Sequence, residues 1–167
     1  MAATPNALPW LGLSGLVVAL DQATKAVALS ALNPYEPHTV VPGLLNWTLA
    51  FNRGAAFSFL AGEDGWQRWL FTAIAIGVSV LLAYWLSRTA RRDWANALPL
   101  ALIIGGAIGN LADRIRFGHV TDFVQVHWHD DWYFPAFNVA DSAISVGAVM
   151  LVLFGFLLGG KAAPKDG

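Results

Sequence analysis

Asp122 and Asp141 are carboxylates for which the neighbouring sequence offers no counter-charge. Asp122 stands in GHVTDFVQV and Asp141 in FNVADSAIS, and no Lys or Arg is local to either. Two carboxylates held a few ångströms apart resist double ionisation and share a proton. One of them can then take a proton from water while the other donates to a carbonyl oxygen. That chemistry hydrolyses a peptide bond without a metal or a covalent intermediate. Two acidic residues near a membrane surface are more often simply solvated, and spacing alone leaves both readings open. Asn138, three residues before Asp141, and Ser145, four after it, share the helical face of Asp141.

Other side chains offer less. Asp21 and Lys25 are four apart on one helix face, which reads first as a local ion pair and second as a functional site. Asn110 shares a face with Asp113 and Arg114, and these polar groups are expected to pair with each other and with the neighbouring loop. Gly105 and Gly109 form a small-xxx-small face that lets another helix come close. The histidines, His38, His119, His127 and His129, all fall outside the apolar stretches, so no Ser-His pair is expected within them. The string HWHDD offers His127, His129, Asp130 and Asp131 as metal ligands, but no further ligand suggests itself, and a solvated polar rim is expected. With no Cys, neither a thiol nucleophile nor a thiolate metal site is available.

The elements that must position these groups are set by composition. The chain is 56% apolar and only 13% charged, with a mean hydropathy of +0.53. A soluble domain of this length carries roughly 25% charged residues. The excess apolar surface calls for a bilayer. Four stretches reach spanning length, about 8–32, 66–86, 94–113 and 138–158, and they predict a four-transmembrane-helix bundle forming a single membrane-embedded domain. Most of the eight Trp and three Tyr lie near the ends of these runs, as in an interfacial aromatic belt. An ionisable residue within a span costs roughly 2.5–3.5 kcal/mol on insertion scales, so Asp21, Lys25, Asp113, Arg114 and Asp141 each need a reason. Pro99 sits near the start of the third stretch, where a lost backbone hydrogen bond is tolerable. The first stretch lacks the basic flank of a cleaved signal peptide. A net charge of −1 gives no reason to propose nucleic-acid binding.

Four spans put both termini on one side. The basic turn Arg88, Arg91 and Arg92 places that side in the cytoplasm. The polar segments 33–65 and 115–137 then lie outside. Residues 44–51 (LLNWTLAF) and 120–128 (VTDFVQVHW) read as short strands, with Val124, Val126 and Trp128 alternating with Phe123, Gln125 and His127. Pro42-Gly43, Asn52-Arg53-Gly54 and 61–65 read as turns. Two short strands are marginal alone, so a small extracytoplasmic β-sheet resting on the bundle is expected.

The blocks DQATK (21–25), FNRGAAFSFL (51–60), GGAIGNLADR (105–114), GHVTDF (118–123) and FNVADS (137–142) closely resemble, in order and spacing, the motifs of the bacterial lipoprotein signal peptidases, the type II signal peptidases. The resemblance runs from about residue 8 to 158, without departure at the motif positions. It implies an aspartic endopeptidase of the inner membrane that removes the signal peptide from diacylglyceryl-modified prolipoproteins, cutting before the lipid-bearing cysteine. The family's catalytic aspartates fall on Asp122 and Asp141. Its further motif residues fall on Asp21, Lys25, Asn52, Gly54, Asn110, Asp113, Arg114, Asn138 and Ala140. The resemblance implies membrane lipids as surroundings, globomycin as an inhibitor occupying the dyad, and neither metal nor organic cofactor. Trp47, Phe51 and Phe57 would clamp an extended peptide beside the sheet, with Asn52 and Arg114 orienting the substrate or bracing the cleft. Asn52 reads equally well as a turn residue before Gly54.

Two other readings compete. Intramembrane carboxylates also serve proton relays and transporters, but inverted repeats and interrupted helices are not evident here. Intramembrane aspartic proteases of the presenilin class rely on a GxGD string, which this chain lacks.

Overall fold

The computed structural model describes residues 5–54, 66–129 and 131–159. Phe57, the 61–65 turn and Asp130 lie outside them. The four apolar stretches are four helices. After a 3-10 turn at Leu8–Trp10, α1 runs Leu11–Ala31, followed by α2 (Trp66–Arg88), α3 (Trp94–Phe117) and α4 (Val139–Gly159). Each is long and apolar enough to cross a membrane. α3 extends a turn beyond the expected 113. Asp93 caps its start by accepting from Asn96 N at 3.3 Å. Gly118, at φ 79°, ends it in the left-handed conformation. Asp113 and Arg114 therefore lie inside the helix, one turn from its end.

α3 is the central helix, packed against α1, α2 and α4. Its GGAIG run explains this, because the glycines present bare backbone in two directions. A Cβ on Gly105 would meet Ser14 O and the Val17 side chain at 2.8 Å, and one on Gly109 would meet Asp21 Oδ2 at 2.7 Å. That face is where α1 crosses, as expected for small-xxx-small packing. Gly106 points the other way, against the backbone of Ala140 on α4. Further along α4, Gly147 rests on Pro99 O and Ile103. Ala7, Leu82, Leu86, Ala97, Leu100 and Ile104 form an apolar cluster at the opposite end of the bundle from these carboxylates.

The polar segments between the helices form an antiparallel sheet of order β1-β2-β3-β4, with β1 at His38–Val41, β2 at Leu45–Asn52, β3 at Val120–Trp128 and β4 at Trp132–Tyr133. β2 and β3 match the two expected strands, and β1 and β4 are additional. The β2–β3 register pairs Ala50 with Asp122 and Asn52 with Val120. Residues 120–123 at the start of β3 are all buried. α1 and α3 pack against the strand, and the chain leading into α4 runs along its edge, where Phe137 O accepts from Phe123 N and Val124 N.

Candidate active site

The site is assembled from the start of α4 outward. Asn138 precedes the first helical residue, and its Oδ1 accepts from Asp141 N at 2.9 Å. The Asp141 carboxylate reaches back to Asn138 N at 3.3 Å. This reciprocal pair is a capping box, which satisfies two of the unpaired N–H groups at the helix start. It also fixes the Asp141 side chain at the mouth of the bundle. A third such N–H, Ala140 N, donates to Asp21 Oδ1 on α1 at 2.9 Å.

The amide nitrogen of Asn138 points across to β3. It donates to Asp122 Oδ1 at 2.6 Å, and also contacts Thr121 O and Asn110 Oδ1, each at 3.2 Å. One fully buried asparagine therefore touches both carboxylates. Asn110 from α3 donates its amide to Asp141 Oδ1 at 2.7 Å. Asn52 from β2 hydrogen-bonds the Asp122 side chain and also accepts from Gly54 N at 2.8 Å. Asn52 thus makes the turn and also reaches the carboxylate. Gly54 takes φ 102°, which favours glycine, and it lies against the Phe71 ring.

Asp122 is 2% exposed. Burial pushes its carboxyl up to about 7, and the nearby Asp141 charge pushes the same way, against the pull of Asn52, Asn138 and the more distant Lys25. The two aspartates are thus close enough to act on one another. Among the described residues, neither is held in a salt bridge.

Behind this pair lies a second polar cluster with the opposite arrangement. Lys25 Nζ contacts Asp21 Oδ2 at 2.9 Å, Asp113 Oδ2 at 3.1 Å and Asn110 Oδ1 at 3.0 Å. The expected local pair of Asp21 and Lys25 is therefore one edge of a cluster spanning α1 and α3. Asp113 Oδ2 also accepts from Thr121 N at 2.9 Å, which ties α3 to β3 one residue before Asp122. The expectation that Asn110, Asp113 and Arg114 pair with each other fails. Asn110 and Asp113 instead meet on Lys25 of α1, and Asn110 also reaches α4 while Asp113 reaches β3, because the packing brings partners that local spacing does not reveal. The Arg114 guanidinium lies 5.4 Å from the Phe71 ring and within the fields of Asp141, Asp122 and Asp113.

The expected solvated rim at HWHDD holds for His129 and Asp131, which are exposed, but not for His127. His127 is buried, stacked on Tyr133 at 5.1 Å, with Nδ1 2.7 Å from His129 O. The tight reversal after β3 folds the chain back over the ring. Trp47 meets Phe123 at 6.1 Å over the C-terminal end of α1, and Phe51 sits between Tyr35 and His119. His119 is held below its ordinary pKa, chiefly by burial.

Comparison with known proteins decides the affiliation. The family model for signal peptidase (SPase) II matches residues 13–157. This chain belongs to the signal peptidase II family. The lipoprotein signal peptidase of Pseudomonas paraeruginosa is 58% identical over 146 residues, covering 87% of this chain and 86% of the relative. That of Xanthomonas campestris pv. campestris is 54% identical over 168 residues, covering 98% and 96%. Two solved structures of bacterial membrane enzymes, obtained by the in meso method, superpose with TM-scores of 0.79 and 0.77. They are 25% and 27% identical to this chain and cover 99% and 98% of it, and 99% of each of their own chains. This member of the signal peptidase II family is thus a multi-pass membrane peptidase of lipoprotein processing, with prolipoproteins as the substrates that membership implies.

Two contributors to the site are not evident from the motifs alone. Gln22 lies inside the DQATK block, and its side chain bridges Asp21 and Asp113. Thr121 serves through its backbone, so no side-chain pattern could have marked it.

Proposed function

We propose that Asp122 and Asp141 act together as an aspartic dyad that cleaves diacylglyceryl-modified prolipoproteins just before the lipidated cysteine. The observation that carries this reading is Asn138, which binds both carboxylates at once in a buried site where neither has a cationic partner among the described residues. The pair titrates as a unit and holds one proton near neutral pH. The ionised carboxylate takes a proton from water as the oxygen attacks the scissile carbonyl. The protonated carboxyl donates to the carbonyl oxygen. Collapse of the tetrahedral intermediate returns a proton to the leaving nitrogen and restores the pair.

The chain acts as one membrane-embedded peptidase unit. Asn52 and Gly54 shape the β2 end beside Asp122, and Arg114 faces the dyad from α3, where it can orient a substrate carbonyl. Asp21, Lys25, Asn110, Asp113 and Ala140 hold the frame. The dyad and the sheet lie at one end of the bundle, and Arg88, Arg91 and Arg92 mark the other. The positive-inside rule puts that other end, with both termini, in the cytoplasm and the dyad near the outer leaflet of the inner membrane. There a lipid-anchored substrate brings its cleavage site to the carboxylates without leaving the bilayer. A globomycin-type inhibitor would occupy the same cleft.

The test is cleavage of a lipid-modified prolipoprotein peptide by purified protein in detergent. Asp122→Asn and Asp141→Asn should each abolish turnover while the folded protein is still recovered. Normal turnover by either variant would overturn the dyad. Protection of the wild type by globomycin against thermal unfolding, lost in both variants, would place the inhibitor on the same residues.

A further inference from the structure

The charges around the dyad do not balance, and the imbalance points to a residue beyond the motif set. Asp21, Asp113, Asp122 and Asp141 are buried or half-buried together. With one proton shared by the dyad, they leave three negative charges. Lys25 and Arg114 supply two positive ones within this group. A buried excess charge is costly unless something neutralises it or carries its field outward.

Gln22 sits where that would happen. Its Nε2 contacts Asp113 Oδ1 at 2.9 Å, Asp21 Oδ2 at 3.1 Å and Gly109 O at 3.3 Å. Its Oε1 accepts from Arg116 Nη1 at 3.0 Å, on the exposed end of α3. The amide is therefore oriented with its donors on two carboxylates and its acceptor on a guanidinium. Hydrogen bonds in such a chain polarise one another. Arg116 supplies the missing positive charge from the surface, through the amide, with its own guanidinium still partly in water.

We infer that Gln22, polarised by Arg116, is a positioning residue for Asp122, an inference that rests on the dyad reading above. The route is short. Gln22 occupies Asp113 Oδ1, which leaves Asp113 Oδ2 to hold both Lys25 and Thr121 N. Thr121 precedes Asp122 on β3, so the Asp113 side chain sets where that strand meets the bundle. Without Gln22, Asp21 and Asp113 repel across a single lysine, and Asp113 turns away from Thr121 N. Asp122 then loses its alignment with Asn138.

The experiment compares variants of the full-length enzyme in detergent, with a lipid-modified prolipoprotein peptide as substrate. Gln22→Met keeps length and removes the hydrogen bonds. It should lower kcat by about tenfold to a hundredfold, as small misplacements of a reacting group do, with KM nearly unchanged. Gln22→Glu should be slower still at neutral pH, where it adds a carboxylate beside Asp21 and Asp113. As pH falls, the new carboxyl regains a proton and can donate in place of the amide. Relative to wild type at each pH, Gln22→Glu should therefore recover and Gln22→Met should not. The groups facing that carboxyl are Asp21 and Lys25 on α1 and Asp113 and Arg116 on α3, with His119 beyond Asp113, and they act on all variants alike. Arg116→Met should give a smaller loss that does not add to that of Gln22→Met. Unchanged kcat in Gln22→Met, or Gln22→Glu without recovery at low pH, overturns the inference. Should Gln22→Met fail to fold, Gln22→Glu and Arg116→Met still decide it. Turnover by Asp122→Asn, measured alongside, would instead overturn the dyad itself.

Discussion

Two pairs of buried aspartates share this small bundle, and they differ in one respect. Asp21 and Asp113 have Lys25 between them, at 2.9 and 3.1 Å. Asp122 and Asp141 have an asparagine between them. A cation between carboxylates keeps both charged and makes them a brace. A neutral amide orients them and leaves the repulsion in place, so a proton must be held. On the function proposed above, the same residue type becomes scaffold or chemistry according to what lies between its members. Asn110 joins the two regions, accepting from Lys25 and donating to Asp141.

Exchanging the partners tests this contrast. The largest effect should come from the dyad, where a single Asp→Asn removes the shared proton or its acceptor and turnover is lost. Lys25→Met should come next, and it should act first on the fold. It leaves two carboxylates buried without their cation, a loss of about 3–5 kcal/mol, read as a fall in thermal stability in detergent. Asn138→Ala should lower kcat strongly, because it frees the Asp122 carboxylate and removes the half of the capping box that accepts from Asp141 N. The box alone accounts for about 1 kcal/mol of stability, so activity should fall far more than stability does. Asn110→Ala should cost less, since Asp141 keeps its hydrogen bond from Asn138 N.

The last effect is a slope with pH, and it acts on stability alone. The Asp122 carboxyl is held at about 7 in the folded protein, against 3.8 when exposed. Between these values the folded state keeps a proton that the unfolded state has released. Stability is therefore full below about pH 4 and falls as pH rises to about 7. The loss from this group approaches about 4 kcal/mol. Asp122→Asn should flatten that part of the stability profile.

Much of this arrangement is legible in the residues, and the unread parts have a physical cause. The spans follow from apolar length, and the Gly105–Gly109 face does meet α1. Asn138 and Asp141 stand three apart, which is the spacing of a capping box. The reach of Lys25 to Asp113, and of Gln22 to Arg116, depends on how far α1 sinks into the glycine face of α3, and no local pattern encodes that depth. The end of α3 is not legible locally, because Asp113 and Arg114 look like a polar terminus although Gly118 ends the helix. β1 and β4 are short and exposed, so they carry no burial pattern to read.

The most direct test of the contrast is to observe the proton. Infrared difference spectra between pH 5 and pH 9, on protein carrying isotope-labelled aspartate in detergent, separate a protonated carboxyl band from the carboxylate bands. The account predicts a protonated aspartate band that disappears with a midpoint of about 7 and is absent from Asp122→Asn. If no aspartate band titrates in that range, or if the band persists in Asp122→Asn, the two carboxylates share no proton and the dyad account is wrong.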